Sequence, residues 1–270
     1  DSHIKSAKSD PSRDQFNARI TANNAGMALL RRQCPQFSHL LEHVRDINPE
    51  KLACPPSRIY EILQKIPQSM SRKEIETSLP PEAVERLAPC FSSHQDQDFY
   101  PLRGVLLFGA AESARSRMCT ELLADGRLDE FGRLMKISHE GDRVTRLDAS
   151  GQYRPLEDDY TDAYLNKRIA DLASQDPQRV LNAQLYCQPG RYACSMPQID
   201  RMVDLACSVP GVVGAQIAGA GLGGCIMILA PKEAASAVKK TLISGYYEAE
   251  RLSPAIIPCV ATQGACLVEF

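Results

Sequence analysis

The 270-residue sequence predicts an α+β fold, in which a helical segment precedes a domain whose antiparallel sheet packs against helices. Apolar residues recur at helical spacing through much of residues 12–139, and residues 195–270 follow a pattern of helix, strand, glycine loop, strand, helix and strand. Strands joined by a short loop pair antiparallel. We therefore expect a helical unit over residues 1–100 and an α+β domain over 101–270, with an insert at about 140–192.

The first half of the chain contains several helix signals. Amphipathic spacing predicts helices over residues 12–33, 36–48, 57–66 and 103–124, the last of them stopped by Asp125-Gly126. Ser71 and Glu74 form a capping box, and Pro80-Pro81 precedes a helix to Leu87, after which residues 88–102 form a connector. A further helix is expected from Leu128 to His139, with Leu128, Phe131, Leu134 and Met135 facing inward.

The last third of the chain is more regular. Ser195 and Gln198 have capping-box spacing around Pro197, and Ile199, Met202, Val203 and Ala206 share one face of the helix that follows. Strands are predicted over residues 215–217 and 225–229, and near 256–260 and 264–270. A helix begins at Pro231, with Ala235, Val238 and Leu242 on one side.

Composition excludes some classes of protein. The net charge is −2 and 44% of the residues are hydrophobic, which excludes wholesale disorder and gives no general attraction to nucleic acid or to anionic membranes. The uncharged stretch Gly211–Ala230 has the length of a membrane span, but its glycines and the flanking prolines favour two strands around a loop. The 10 cysteines lack CxxC spacing, which favours reduced thiols in a cytoplasm over a zinc framework.

The glycine-rich loop between the two strands is the main functional motif. Gly219-x-Gly221-x-x-Gly224 matches the dinucleotide fingerprint by letter, but a strand follows it where that fingerprint requires a helix. Successive glycines allow a ligand to approach the backbone and can present N–H groups to an anion. A tight turn between strands is the alternative, although such a turn needs fewer glycines.

Two other motifs have weaker chemical interpretations. His39-Leu40-Leu41-Glu42-His43 fits HxxEH, which on a helix would place two histidines beside a metal, although no third ligand is evident and a polar helix face is the alternative. His139 fits a helix C-terminus, where a cation suits the helix dipole. The acidic cluster Glu157-Asp158-Asp159 is interpreted as a solvated turn rather than a magnesium site.

Several segments, in order along the chain, resemble the galactokinase branch of the GHMP kinases. The segment Gly219–Cys225 resembles the third motif of that family, and Pro210–Ala215 precedes it as expected. The other similar segments are Asp1-Ser2, Phe16–Arg19, Phe131–Met135 followed by Ser138-His139, and Cys194-Ser195 with Ile199-Asp200.

The resemblance implies a cytoplasmic sugar 1-kinase of carbohydrate metabolism that uses ATP and Mg²⁺ to phosphorylate the anomeric hydroxyl of galactose or a related sugar. The loop close to ATP and substrate would comprise Gly219, Ala220, Gly221, Leu222, Gly223, Gly224 and Cys225. Phe16, Asn17 and Arg19 would lie on the sugar side. Phe16 stands where galactokinases usually have tyrosine, and Ile20 replaces a usual arginine, which leaves galacturonate, arabinose, fucose and amino sugars open.

In that family the ATP phosphate loop, the sugar-gripping first motif and the catalytic Asp precede the segment that Asp1 resembles. The resemblance thus implies no catalytic residue in this chain, which would be inactive alone and would need an N-terminal kinase half as its partner. Residues 1–100 would then be the remainder of the N-terminal and middle kinase region, and 101–270 the GHMP-type C-terminal domain. The alternatives are a non-catalytic metabolite-binding module of the same fold and an HxxEH zinc peptidase.

Overall fold

The structure is a computed structural model that describes residues 1–5, 11–157 and 159–260. The α-helices are α1 (Pro11–Gln33), α2 (Pro56–Gln64), α3 (Arg72–Ser78), α4 (Pro81–Phe91), α5 (Leu102–Ala124), α6 (Leu128–Asp142), α7 (Asp162–Leu172), α8 (Pro177–Asn182), α9 (Pro197–Cys207) and α10 (Ala235–Leu242). The strands are β1 (Ser69–Met70), β2 (Tyr100–Pro101), β3 (Thr145–Leu147), β4 (Tyr153–Pro155), β5 (Gly214–Ile217) and β6 (Ile226–Leu229). They pair antiparallel as β1–β2, β3–β4 and β5–β6.

The larger hydrophobic core lies among α1, α2, α4 and α5. It includes the fully buried Leu30, Ile59 and Leu106, and α7 and the turn after α8 contribute Leu165 and Leu185. This core crosses the predicted boundary at residue 100 and takes side chains from the segment predicted as an insert. The division of the chain into domains stays a prediction.

A smaller core forms where α9 and α10 pack beside the β5–β6 hairpin. Met202, Val238 and Leu242 are buried there with Tyr246 and Tyr247. The hairpin register runs from Gly214 opposite Leu229 to Ile217 opposite Ile226. Helices packed on an antiparallel hairpin confirm the predicted α+β class and the predicted pair of strands around the glycine loop.

Local sequence signals account for several elements. The predicted helices over 12–33, 57–66 and 103–124 form as α1, α2 and α5, and Gly126 follows α5 with a φ of +69°. The predicted capping box also forms. The Ser71 hydroxyl accepts from the Glu74 N–H, and the Glu74 carboxylate accepts from the Ser71 N–H at 2.7 Å.

The helix predicted over residues 36–48 is wrong. Two short 3-10 turns occupy this stretch, Pro35–Phe37 and Val44–Asp46, and His43 between them is extended. The Asp46 carboxylate accepts from the backbone N–H groups of His43 at 2.7 Å and Glu42 at 3.0 Å. These side-chain bonds satisfy N–H groups that a helix would otherwise use, so the local turn replaces the helix.

Other corrections concern the ends of helices. The helix after Pro80 continues to Phe91, so the connector is shorter than predicted, and α6 continues to Asp142. Leu128 is 46% exposed instead of facing inward. Ser195 does not cap α9, because Met196 occupies the N-cap position and Pro197 begins the helix.

The C-terminal predictions are partly wrong. Lys232–Ala234 form a 3-10 turn before α10, and Ala234 is buried where Ala235 was expected to be. Residues 256–260 form no strand with any described residue, and residues 264–270 lie outside the described part of the chain. No described helix has the length and apolar character that crossing a membrane requires.

Candidate ligand site at the glycine loop

The loop between β5 and β6 has an unusual backbone. The Ala218 N–H donates to the Cys225 carbonyl at 2.9 Å and closes it. Positive φ angles occur at Gly219 (+79°), Gly221 (+83°), Leu222 (+59°), Gly223 (+136°) and Gly224 (+84°). Residues with a Cβ rarely adopt such angles, so this conformation explains why the loop is glycine-rich.

One glycine is required by close packing. The Leu222 N–H donates to the Cys194 carbonyl at 2.7 Å. A Cβ added at Gly221 would overlap that carbonyl oxygen, so only glycine fits there. This bond fixes the loop to the segment that precedes α9. The sequence pattern did not predict contact between these two parts of the chain.

The start of the chain also lies against the loop. The Gly224 N–H donates to the Ile4 carbonyl at 2.9 Å, and the Gly224 carbonyl accepts from the Ser2 N–H at 2.8 Å and the Ser2 hydroxyl at 2.6 Å. The Tyr246 hydroxyl donates to the Ser2 carbonyl at 2.8 Å. Asp1-Ser2 and the loop each resemble a segment of the same family. In the structure Ser2 is in direct contact with the loop.

The outer side of the loop is open. A Cβ at Gly219 or Gly224 would meet no atom within 4 Å. The N–H groups of Gly219, Ala220 and Gly223 donate to no acceptor in the described part of the chain, whereas those of Leu222 and Gly224 are bonded to carbonyls. An anion could bind the three remaining N–H groups, a smaller set than the sequence suggested.

Charged groups surround Cys194 behind the loop. The Cys194 N–H donates to the Asp142 carboxylate, which stands at the end of α6. Burial, assisted by the charge of Glu112, raises the pKa of Asp142 to about 7. Burial and the nearby Asp142 raise the pKa of the Cys194 thiol to about 12, against the opposing charge of Arg19. Cys194 is therefore a protonated thiol, whereas Asp142 titrates near neutrality.

The three predicted sugar-side residues have different surroundings. Arg19 approaches Cys194 and lines a cleft of about 480 Å³ between α1 and the residues around Gln95. Asn17 donates to the Ser93 carbonyl at 2.8 Å, and Phe16 is half-buried on α1. Gln15, which the sequence did not single out, donates to the Ala193 carbonyl at 2.8 Å.

His139 has a partner that sequence reasoning missed. It lies in the last turn of α6 as predicted, but it is only 1% exposed, and its Nε2 lies 3.3 Å from Oδ1 of the fully buried Asp200. The other Asp200 oxygen accepts from the N–H groups of Val144 at 3.0 Å and Thr145 at 2.7 Å. Burial acts to raise the pKa of Asp200, but the nearby His139 and Ser195 side chains and the hydrogen bond from Thr145 hold that pKa below its ordinary value. The pair joins α6 to α9.

The two motifs for which a metal was considered, HxxEH and the acidic cluster, find no support as metal sites. The HxxEH residues His39–His43 lie on turns, so the helical spacing that would align two histidines is lost. Within the described residues, no three His, Cys, Asp or Glu side chains are grouped to hold a metal. Glu157 and Asp159 are exposed, and Asp158 lies outside the described part.

Comparisons with known proteins agree with this architecture. Residues 167–248 match the family model described as GHMP kinases C terminal. The chain is 35% identical to a galactokinase of Actinobacillus succinogenes over 107 residues, which cover 37% of this chain and 28% of that protein. A galactokinase of Pasteurella multocida is 30% identical over 145 residues, 46% of this chain and 37% of that protein.

A galactokinase of Roseiflexus is 25% identical over 173 residues, which cover 64% of this chain and 32% of that protein. The chain thus carries a GHMP kinase C-terminal domain. Within that family it is galactokinase-like. The matched region spans about a third, or less, of the length of these relatives. The family match begins at residue 167, inside the segment predicted as an insert.

Proposed function

We propose that this chain is part of a sugar kinase that transfers the γ-phosphate of ATP to the anomeric hydroxyl of galactose or a related sugar. The observation that carries the proposal is the assembly around the glycine loop. The loop contacts Ser2 and Ile4 through Gly224, and Cys194 through Leu222. Segments that separately resemble galactokinases are thus in direct contact.

The loop suits a phosphate group. Gly219, Ala220 and Gly223 offer backbone N–H groups without acceptors in the described residues, and no side chain covers Gly219. Backbone N–H groups bind phosphate oxygens without the mobility of a long side chain. These residues would hold a phosphate of ATP, and its transfer depends on positioning and charge neutralisation. Among the described residues, no three acidic side chains are grouped to hold Mg²⁺.

Arg19 is proposed on the sugar side, beside Gln15 and the cleft between α1 and Gln95. Its guanidinium and the side-chain amide of Gln15 are suited to bonding sugar hydroxyls. Phe16 cannot offer the hydroxyl that a tyrosine would, so we expect a preference that differs from that of enzymes with tyrosine there. A panel of galactose, galacturonate, arabinose, fucose and an amino sugar covers this choice.

The test measures ATP consumption with that sugar panel, using the longest protein that the gene encodes and the 270-residue chain in parallel. We expect turnover by the longest protein and none by the 270-residue chain. Binding of ATP or sugar by the longest protein without turnover would favour the non-catalytic binding module. Turnover by the 270-residue chain would contradict the proposed need for a further catalytic segment.

A matched pair of variants tests the loop. Gly219 and Gly151 have φ angles of +79° and +78°, and a Cβ at either meets nothing within 4 Å. Replacing each by valine imposes the same backbone strain, but only Gly219→Val alters the loop. We expect Gly219→Val to lower kcat/KM by about tenfold or more and Gly151→Val to leave it within about twofold. Equal losses in the two variants would contradict a phosphate-proximal loop.

A further inference from the structure

A large cleft lies away from the glycine loop. It has a volume of about 1320 Å³ and is bounded by α1, the residues from Ser38 to Arg45, and the start of α4. Four arginines line it, Arg31, Arg32, Arg45 and Arg86, and we call it the arginine cleft. Arg31 lies 12 residues beyond Arg19 on α1, about 18 Å along the helix axis. The arginine cleft is therefore separate from the proposed kinase site.

The positive charge of this cleft is poorly neutralised. Within the described residues, no carboxylate forms an ion pair with any of the four guanidiniums. One carboxylate, Glu42, lines the cleft with them, and the imidazole of His43 is beside it. Unpaired arginines on a convex face are simply solvated, but four of them around one concavity concentrate a positive potential.

Two of the arginines lie close enough for their charges to interact. Burial and the nearby Arg86 charge lower the pKa of Arg31. Arg31 is held in place, because its Nη1 donates to the Leu41 carbonyl at 3.1 Å and lies 3.5 Å from that of Glu42. Arg32 is held by the Ser78 carbonyl. Arg45 and Arg86 have no hydrogen-bond partner for their side chains among the described residues. Like charges held close together cost stability unless an anion lies between them.

The cleft also supplies neutral hydrogen-bond donors. The side chains of Asn23 and Ser38 line it and donate to no described residue, whereas the hydroxyls of Thr77 and Ser113 already donate to the carbonyls of Lys73 and Gly109. Guanidinium groups bind phosphoryl oxygens through paired N–H groups, and hydroxyl and amide groups complete such sites. The volume exceeds that of a single phosphate and accommodates a small organic molecule.

We propose that the arginine cleft binds a small molecule that carries more than one phosphoryl group. The juxtaposition of Arg31, Arg45 and Arg86, none of which forms an ion pair with a described carboxylate, carries this inference. Binding there is independent of the sugar kinase activity. A concave cleft favours a compact ligand over an extended acidic peptide, which would need a longer groove.

The experiment titrates the 270-residue chain with tripolyphosphate, inorganic phosphate and ATP by calorimetry, at low and at raised salt. The test variant is Arg45→Gln/Arg86→Gln, which removes two charges whose side chains bond to no described residue. The control is Arg13→Gln, an exposed arginine on α1, 18 residues and about 27 Å along the helix from Arg31. An acidic peptide, polyglutamate, is titrated as a fourth probe.

We expect saturable binding of tripolyphosphate, weaker binding of inorganic phosphate, and a loss of about tenfold or more in the test variant. Binding of ATP at the same affinity as tripolyphosphate assigns the contact to the phosphate chain, whereas tighter binding of ATP adds a nucleoside contact. Without ligand, the test variant should melt at a higher temperature than wild type because a repulsion is removed. The control should bind as wild type does.

Three results would overturn the inference. They are the absence of saturable tripolyphosphate binding, an equal loss of affinity in Arg13→Gln and the test variant, and binding of polyglutamate without binding of tripolyphosphate. If the test variant is poorly folded, Arg86→Gln alone serves in its place, because Arg86 is exposed on α4. The logarithm of its loss in affinity should be about half of that expected for the double variant.

Discussion

At the scale of single residues, the environment of Cys194 decides the chemistry near the loop. A cysteine with a pKa raised to about 12 is a poor nucleophile, so the Cys194 thiol does not act as a nucleophile at neutral pH. Asp142 is the group whose charge changes there, since its pKa is raised to about 7. A neutral Asp142 can donate a proton in a hydrogen bond, and its ionised form can only accept.

Asp142 should also make stability depend on pH. Its ordinary pKa is 3.8 and its folded pKa is about 7, so between these values the folded chain holds a proton that the unfolded chain has lost. The contribution to stability is complete below the unfolded pKa and is lost as the pH rises through the folded pKa. We expect urea unfolding to show a decline in stability between about pH 4 and pH 7 that is smaller in Asp142→Asn.

Asparagine keeps an acceptor for the Cys194 N–H, so this variant isolates the titration from the hydrogen bond. Asp148→Asn is the control, because Asp148 is a carboxyl on the β3–β4 turn whose pKa is lowered to about 2, chiefly by hydrogen bonds from Ser150 and Gln152. The titration of Asp148 therefore affects stability only at a more acidic pH. An unchanged decline in Asp142→Asn would contradict the assignment.

At the scale of elements, the β5–β6 loop combines two different uses of glycine. Gly221 is confined by the Cys194 carbonyl, whereas Gly219 faces open space, although both have similar positive φ angles. Gly221 allows close packing against Cys194, and Gly219 leaves the surface of the loop uncovered. A single sequence motif therefore has both a structural and a candidate binding part.

This difference predicts unequal effects of alanine in the same loop. Gly219→Ala pays only for its backbone conformation and should cost about 1 kcal/mol. Gly221→Ala has the same backbone strain and must also displace the Cys194 carbonyl, so we expect a loss of about 3 kcal/mol or more. Urea denaturation measures both. Equal losses would show that the contact with Cys194 is not a tight one.

The elements that the sequence predicted poorly share a physical cause. Residues 36–48 have apolar residues at helical spacing, yet Asp46 bonds to the N–H groups of Glu42 and His43 and forms a turn. Ser195 has capping-box spacing, but it is buried and its N–H donates to the Asp142 carbonyl at 2.9 Å. In both places a tertiary or side-chain bond overrode the local pattern.

At the scale of the whole molecule, Arg103 joins parts that are far apart in the sequence. It is 5% exposed, and its guanidinium donates to the carbonyls of Ile66 at 2.8 Å, Tyr160 at 2.8 Å and Gln64 at 3.1 Å. It also pairs with Asp162 at 2.8 Å. One side chain thus holds the end of α2 and the start of α7 against α5.

We expect Arg103→Met to lower the free energy of unfolding by about 3 kcal/mol or more, because it leaves buried carbonyls without donors. Arg127→Met is the matched control. Arg127 is about half exposed, and its partner Glu130 lies on the surface, so the loss there should be much smaller than at Arg103. Thermal or urea unfolding of both variants checks this, and a small effect at Arg103 would contradict its role.

The sequence by itself determined the α+β class, the long helices α1 and α5, the capping box at Ser71, and the hairpin with its glycine loop. These features depend on periodicity, on capping groups and on the φ angles of glycine, which are properties of neighbouring residues. Only the tertiary structure decided which distant segments of the chain are in contact. It brought Ser2, Cys194 and the loop together, joined His139 to Asp200, and gathered the arginine cleft. Such contacts depend on the packing of distant segments, which local sequence patterns do not encode.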